Sequence, residues 1–267
     1  MPQSFKFEHA GAVLCAEPLS DATGPLRLVF LHGWGQSREE IRPLASALAD
    51  LGEIWIADLP GHGEAPTPPE AFSPAHYARL VHAWLATLPP CRTLVIGHSL
   101  GFRVAVHMAA QAATPLEGLV SLAGAGIPRP LSPRENARRR AIRLALAFAR
   151  AARPILGGHL LTILRQRYGS ADYNNVSPAL RPTFLAVVND DVTPLCPQVH
   201  TPALLLYGSD DTETPPAMGE RFAKLLPVAR LHILPHQTHQ SLLGPGRHVV
   251  EPLVRAFAQA LLAAHAR

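Results

Sequence analysis

Apolar and polar positions along this chain switch repeatedly between two periods. The runs 26–31, 54–58, 94–97, 119–123, 203–207 and 231–234 are short and almost unbroken in apolarity, as strands buried on both faces are. Between them, 38–50, 74–88, 100–112, 216–226 and 247–264 carry apolar residues at helical spacing. The last of these aligns Val250, Leu253, Val254, Phe257 and Leu261 on one face. Regular strand–helix alternation predicts an α/β fold with a doubly wound, mostly parallel sheet. The N-terminal runs 4–8 and 12–17 predict an antiparallel hairpin joining the sheet edge.

Residues 127–195 break this rhythm. They open on Pro128, Pro130 and Pro133, pass through an Arg/Ala/Leu-rich helical stretch, and close around Pro178, Pro182 and Pro194. A doubly wound sheet needs one short crossover here. About seventy residues predict an inserted helical cap (127–195) on a core built from 1–126 and 196–267.

Composition narrows the class. At 267 residues, 48% hydrophobic and 16% charged, the chain can bury one full α/β core. Cys15, Cys91 and Cys196 are odd in number and widely spaced, which suits free thiols in a reducing compartment. MPQSFKFEHAGAVL lacks the basic-then-apolar build of a signal peptide, and no apolar stretch reaches a membrane-spanning length of ~18 residues. The expectation is a cytoplasmic protein with no membrane span.

The net charge of +4 conceals an asymmetry. Residues 127–181 hold eleven Arg against Glu135 and Asp172 alone, a balance of +9 that leaves −5 for the rest. Charge confined to one segment argues against a nucleic-acid partner. Wound as a helix, Arg139, Arg143, Arg150 and Arg153 fall in a narrow arc. Ala141, Leu144, Ala145, Phe148 and Ala152 lie opposite and are expected to pack onto the core. The Arg arc is then either a solvated face or a docking surface for an acidic partner or anionic substrate.

The candidate chemistry begins at Gly97-His98-Ser99-Leu100-Gly101, between an apolar run and a helix. A strand that turns directly into a helix strains the apical residue and needs small neighbours two before and two after it. Ser99 is then lifted to the strand's carboxyl end, a nucleophile candidate over a helix N-terminus. A serine hydroxyl needs a base, and the base needs an orienting carboxylate. Later strands lead into Gly208-Ser209-Asp210-Asp211-Thr212-Glu213-Thr214-Pro215 and Pro235-His236-Gln237-Thr238-His239. Each partner is doubled, so residue order alone leaves Asp210 or Asp211 and His236 or His239. Two oxyanion donors are expected from the backbone N–H groups of Leu100 and of Trp34 in His32-Gly33-Trp34-Gly35. His62 and His98 read as structural. Fourteen scattered histidines without HExxH spacing give no metal site, and no cofactor is expected.

Together with Asp58-Leu59-Pro60-Gly61-His62-Gly63, these segments resemble the α/β-hydrolase superfamily over essentially the whole chain. The resemblance implies the α/β-hydrolase fold with a cap, and its spacing selects Asp211 and His239. Many members have a second glycine where this chain has Phe102. Haloalkane dehalogenases and epoxide hydrolases of that superfamily carry Asp where Ser99 stands. The resemblance therefore implies a metal-free serine hydrolase of carboxylic esters with catalytic Ser99, Asp211 and His239 and an oxyanion hole at Trp34 and Leu100. The His-Gly-Trp-Gly loop, Arg-rich cap and small size also resemble esterases of biotin synthesis that cleave pimeloyl-carrier-protein methyl ester. That implies an acidic acyl-carrier protein docking on Arg139, Arg143 and Arg150. Lactonases, thioesterases and C–C hydrolases share the frame, and a non-catalytic ligand receptor is the alternative of another class.

Overall fold

The computed structural model describes residues 4–20, 24–111, 115–128, 133–152, 154, 159, 163 and 176–264. Its centre is an eight-stranded sheet in the order β1-β2-β4-β3-β5-β6-β7-β8. β1 (Phe5–His9) and β2 (Ala12–Pro18) form the expected antiparallel edge hairpin. From β3 (Leu26–Leu31), β4 (Glu53–Asp58) and β5 (Arg92–His98) to β6 (Gly118–Leu122), β7 (Ala203–Gly208) and β8 (Ala229–Leu234), neighbours run parallel. Every residue of β3, β6 and β7 is buried, which is why those strands read as continuous apolar runs.

Helices cover both faces. α1 (Arg38–Ala47) and a helix at Arg247–Ala264 pack Ile41, Leu44, Val250, Val254 and Leu261 against one face. α2 (Pro74–Leu85), α3 (Leu100–Ala110) and a helix at Pro216–Leu225 pack Tyr77, Val81, Val104 and Phe222 against the other. In chain order the remaining helices are α4 (Pro133–Ala151), α5 (Arg181–Val188), α6 (Pro216–Leu225) and α7 (Arg247–Ala264). α1 starts sharply because Ser37 and Glu40 form a capping box.

Two features of this topology place the site. The strand order reverses beside β3, and in an open parallel sheet the crevice at the carboxyl ends of such strands is the natural ligand position. β3 and β5 are adjacent and in register, Leu31 opposite Gly97. The loop after β3 therefore lies beside the turn after β5.

α4 departs from expectation. Leu144 is 63% and Phe148 66% exposed, Ala141 is also exposed, and among the described side chains of α4 Ala149 is the buried one. Periodicity correctly groups residues on a helical face but cannot tell what that face meets. Arg150 is exposed; the side chains of Arg139 and Arg143, and Arg153 altogether, lie outside the described residues.

Candidate active site

Ser99 is the single residue between β5 and α3, with φ 49° and ψ −106°. A non-glycine residue there stores strain of ~1–3 kcal/mol. Its surroundings enforce the bend: Ser99 N–H donates to Leu122 O (3.0 Å), and Ala125 N–H donates to Ser99 O (3.1 Å). A Cβ on Gly97 would lie 2.2 Å from Phe102 N, and one on Gly101 2.2 Å from Leu31 O. Both glycines are thus required by close backbone approach. Phe102 points away beneath the elbow, fully buried, with its ring 5.2 Å from that of Phe222. It fits because Gly124 has no side chain, where a Cβ would lie 2.3 Å from Phe102 Cδ1. The missing second glycine therefore changes packing under the elbow.

The structure brings Asp211 and His239 together and leaves Asp210 and His236 exposed. Asp211 Oδ2 accepts from His239 Nδ1 at 2.8 Å. Its Oδ1 accepts from the N–H groups of Glu213 and Thr214, both at 2.8 Å. Burial works to raise the Asp211 pKa, but hydrogen bonds from His239 and Thr214 outweigh it and hold the carboxyl below its ordinary value. Thr214 escaped the sequence reading. Its hydroxyl lies 2.8 Å from Asp211 Oδ2, 3.0 Å from His239 Nδ1 and 3.0 Å from Ala123 O, tying the loop after β7 to the end of β6. Nothing in a lone threonine before a proline signals this.

The loop after β3 is held from behind by polar contacts. Leu59 N–H donates to His32 Nε2 (3.0 Å), so Nδ1 carries the proton and donates to Gly33 O (2.7 Å). Burial, with His62 nearby, pushes the His32 pKa down to about 3. Gln36 Oε1 accepts from Gly33 N–H at 2.7 Å and lies 2.9 Å from His98 Nδ1, while Gln36 Nε2 donates to Gln240 Oε1 (2.8 Å). Burial and the neighbouring His239 lower His98 to about 3. His98 Nε2 also lies 3.1 Å from His239 O, so this buried ring bridges the loop after β3 and the loop after β8. His62 packs edge-on against Trp34 at 4.8 Å. Among the described residues, the backbone N–H groups of Trp34 and Leu100 make no hydrogen bond.

These elements enclose a cavity of about 300 Å³, lined among others by Trp34, Ser99, Leu100, Phe184, Val187 and His239. Ser99 and His239 share this cavity without a hydrogen bond between their side chains. His239 Nε2 instead has Glu213 Oε2 at 3.6 Å, on a side chain that is 65% exposed. Asp190 pairs with His107 Nε2 of α3 at 3.1 Å. The three cysteines are unpaired, and burial pushes the Cys196 thiol up to about 12. Among the described residues no group of His, Cys, Asp or Glu is arranged to hold a metal ion, and no helix is long and apolar enough to cross a membrane.

A profile of the alpha/beta hydrolase family matches residues 28–251. The chain is 29% identical over 243 residues to the pimeloyl-[acyl-carrier protein] methyl ester esterase of Chromobacterium violaceum, covering 85% of this chain and 92% of that one. The esterase of the same name from Neisseria meningitidis is 27% identical over 256 residues, covering 88% and 78%. A thermophilic esterase from Thermogutta terrifontis shares the fold with a TM-score of 0.67 at 20% identity, covering 97% of this chain and 99% of that one. An N-acyl homoserine lactone degrading enzyme does so with 0.70 at 18%, covering 95% and 100%. The chain belongs to the alpha/beta hydrolase family, and it is a hydrolase similar to curated esterases.

Proposed function

We propose that this protein cleaves carboxylic esters through an acyl-enzyme formed on Ser99. The observation that carries this reading is the strained Ser99 sharing a cavity with His239, whose Nδ1 is held at 2.8 Å by Asp211. Fixing Nδ1–H leaves Nε2 as the free base. Ser99 Oγ attacks the ester carbon while Nε2 takes its proton. The oxyanion sits on the N–H groups of Trp34 and Leu100, the latter at the positive end of α3. Nε2 then returns the proton to the departing alkoxide, and water repeats the sequence to release the acid. Glu213 swings aside for the Ser99–His239 contact, which its exposed position allows. Residues 127–195 act as a cap, with Phe184 and Val187 of α5 supplying its apolar wall. Release of p-nitrophenol from p-nitrophenyl esters of increasing chain length tests the activity. Burst kinetics separates an enzyme from a receptor of the same fold.

A second reading is favoured by the relatives' names and by the +9 segment: an esterase for acyl methyl esters on an acidic carrier protein in the cytoplasm. In that reading Arg139, Arg143 and Arg150 receive the carrier. Methanol release from a carrier-bound half-ester, compared with the free ester, tests it.

A further inference from the structure

The catalytic cavity contains a cation for which ester hydrolysis alone has no use. Arg103 lines it, one turn along α3 from Ser99, whose carbonyl accepts the Arg103 backbone N–H. Its guanidinium donates from one Nη to the carbonyl of Val187, while Nε is buried and has no partner. Among the described residues Arg103 makes no ion pair. Asp190 and Asp191 attract it from a distance, but Asp190 is engaged with His107 and Asp191 with the N–H of Thr193. Burial outweighs that attraction and depresses the Arg103 pKa. The side chain runs over Gly126, where a Cβ would lie 3.3 Å from Arg103 Cγ and 3.4 Å from Nε.

A guanidinium with an orphaned buried donor costs free energy unless something anionic arrives. Its planar fork matches a carboxylate. Resting on the esterase reading above, we infer that Arg103 is an anion subsite and that the substrates are esters whose acyl part ends in a free carboxylate. Ser99 and Arg103 line the same cavity, so a short half-ester of a dicarboxylic acid such as glutaric or adipic acid can present its ester to one and its free carboxylate to the other. Phe184 and Val187 cover the methylenes between the two ends. Glu213 is the opposing charge on the cavity, and it lies at the His239 side. A half-ester whose far end is thioesterified to a carrier lacks the charge that Arg103 would meet.

The test compares monomethyl with dimethyl adipate, by methanol release, in wild type, Arg103→Met and Arg103→Lys. Wild type should prefer the half-ester, and Arg103→Met should lower the half-ester/diester ratio of kcat/KM by about ten- to a hundredfold, mainly through KM. Arg103→Lys, which keeps the charge without the fork, should recover part of that ratio. A ratio equal in wild type and Arg103→Met overturns the inference while leaving the esterase intact. Hydrolysis of neither ester counts against the esterase reading, and calorimetric titration of Ser99→Ala with adipate then decides. Binding that Arg103→Met abolishes in that background upholds the subsite; no binding overturns it. Should Arg103→Met not fold, a wild type that prefers the diester overturns it equally, and one that prefers the half-ester, with Arg103→Lys reducing that preference, supports it.

Discussion

Acidification should expose the burial of His32 and His98 as a loss of stability. Both rings are buried, and both are held neutral down to about pH 3. In the unfolded chain each titrates near its ordinary value of 6.5. Below that value the unfolded state binds protons that the folded state refuses. Stability is therefore complete above 6.5 and declines as pH falls toward 3. At about pH 5 each histidine costs about 2 kcal/mol, and the pair about 4 kcal/mol, set by the unfolded value because the folded one lies well below. Against a typical total of ~5–15 kcal/mol that is a large fraction. His98→Gln keeps a polar side chain beside Gln36 but cannot titrate. Urea unfolding at about pH 7.5 and about pH 5 should show a loss smaller by about 2 kcal/mol in the variant than in wild type. His62, also lowered by burial, contributes equally to both proteins, and Asp211 contributes only at still lower pH. Equal losses in variant and wild type, within about 0.5 kcal/mol, would refute the reasoning.

Three further outcomes follow from the geometry. Thr214→Val removes a hydroxyl from Asp211 Oδ2, so the Asp211 pKa should rise and ester kcat/KM should fall about tenfold, checked by pH–rate profiles. Asp211→Asn should impair ester turnover far more than Asp210→Asn, and His239→Ala more than His236→Ala, in parallel kcat measurements. Charge reversal at Arg139, Arg143 and Arg150 together should raise KM for a carrier-protein ester and flatten its salt dependence, because electrostatic steering acts over ~8–10 Å at ordinary ionic strength. The solvated-face reading predicts equal and small effects on carrier-bound and free esters.

The sheet and its helices were readable because burial on both faces removes polar interruptions from the strands, and amphipathic spacing marks helices such as Arg247–Ala264. Strand ends are hidden where polar residues extend a strand: β5 runs from Arg92 through His98, with half-buried Arg92 paired to Glu117 and buried His98 held near Gln36. Glycine spacing located the elbow because the close backbone approaches admit no Cβ. Thr214, Gln36 and Gln240 act through contacts between loops distant in sequence, and no local pattern marks a polar loop residue as a brace. Arg103 carries no local signal in the sequence, since only the fold sets it in the cavity with Ser99 and, among the described residues, without an ion-pair partner.

Covalent labelling tests most directly whether Ser99 is the nucleophile. A fluorinated organophosphonate should add one adduct per chain, located on Ser99 by mass spectrometry, with loss of ester hydrolysis in proportion to labelling. Ser99→Ala should take up no label and lose several orders of magnitude in kcat. Stoichiometric labelling of another serine, or ester turnover retained in Ser99→Ala, would contradict it.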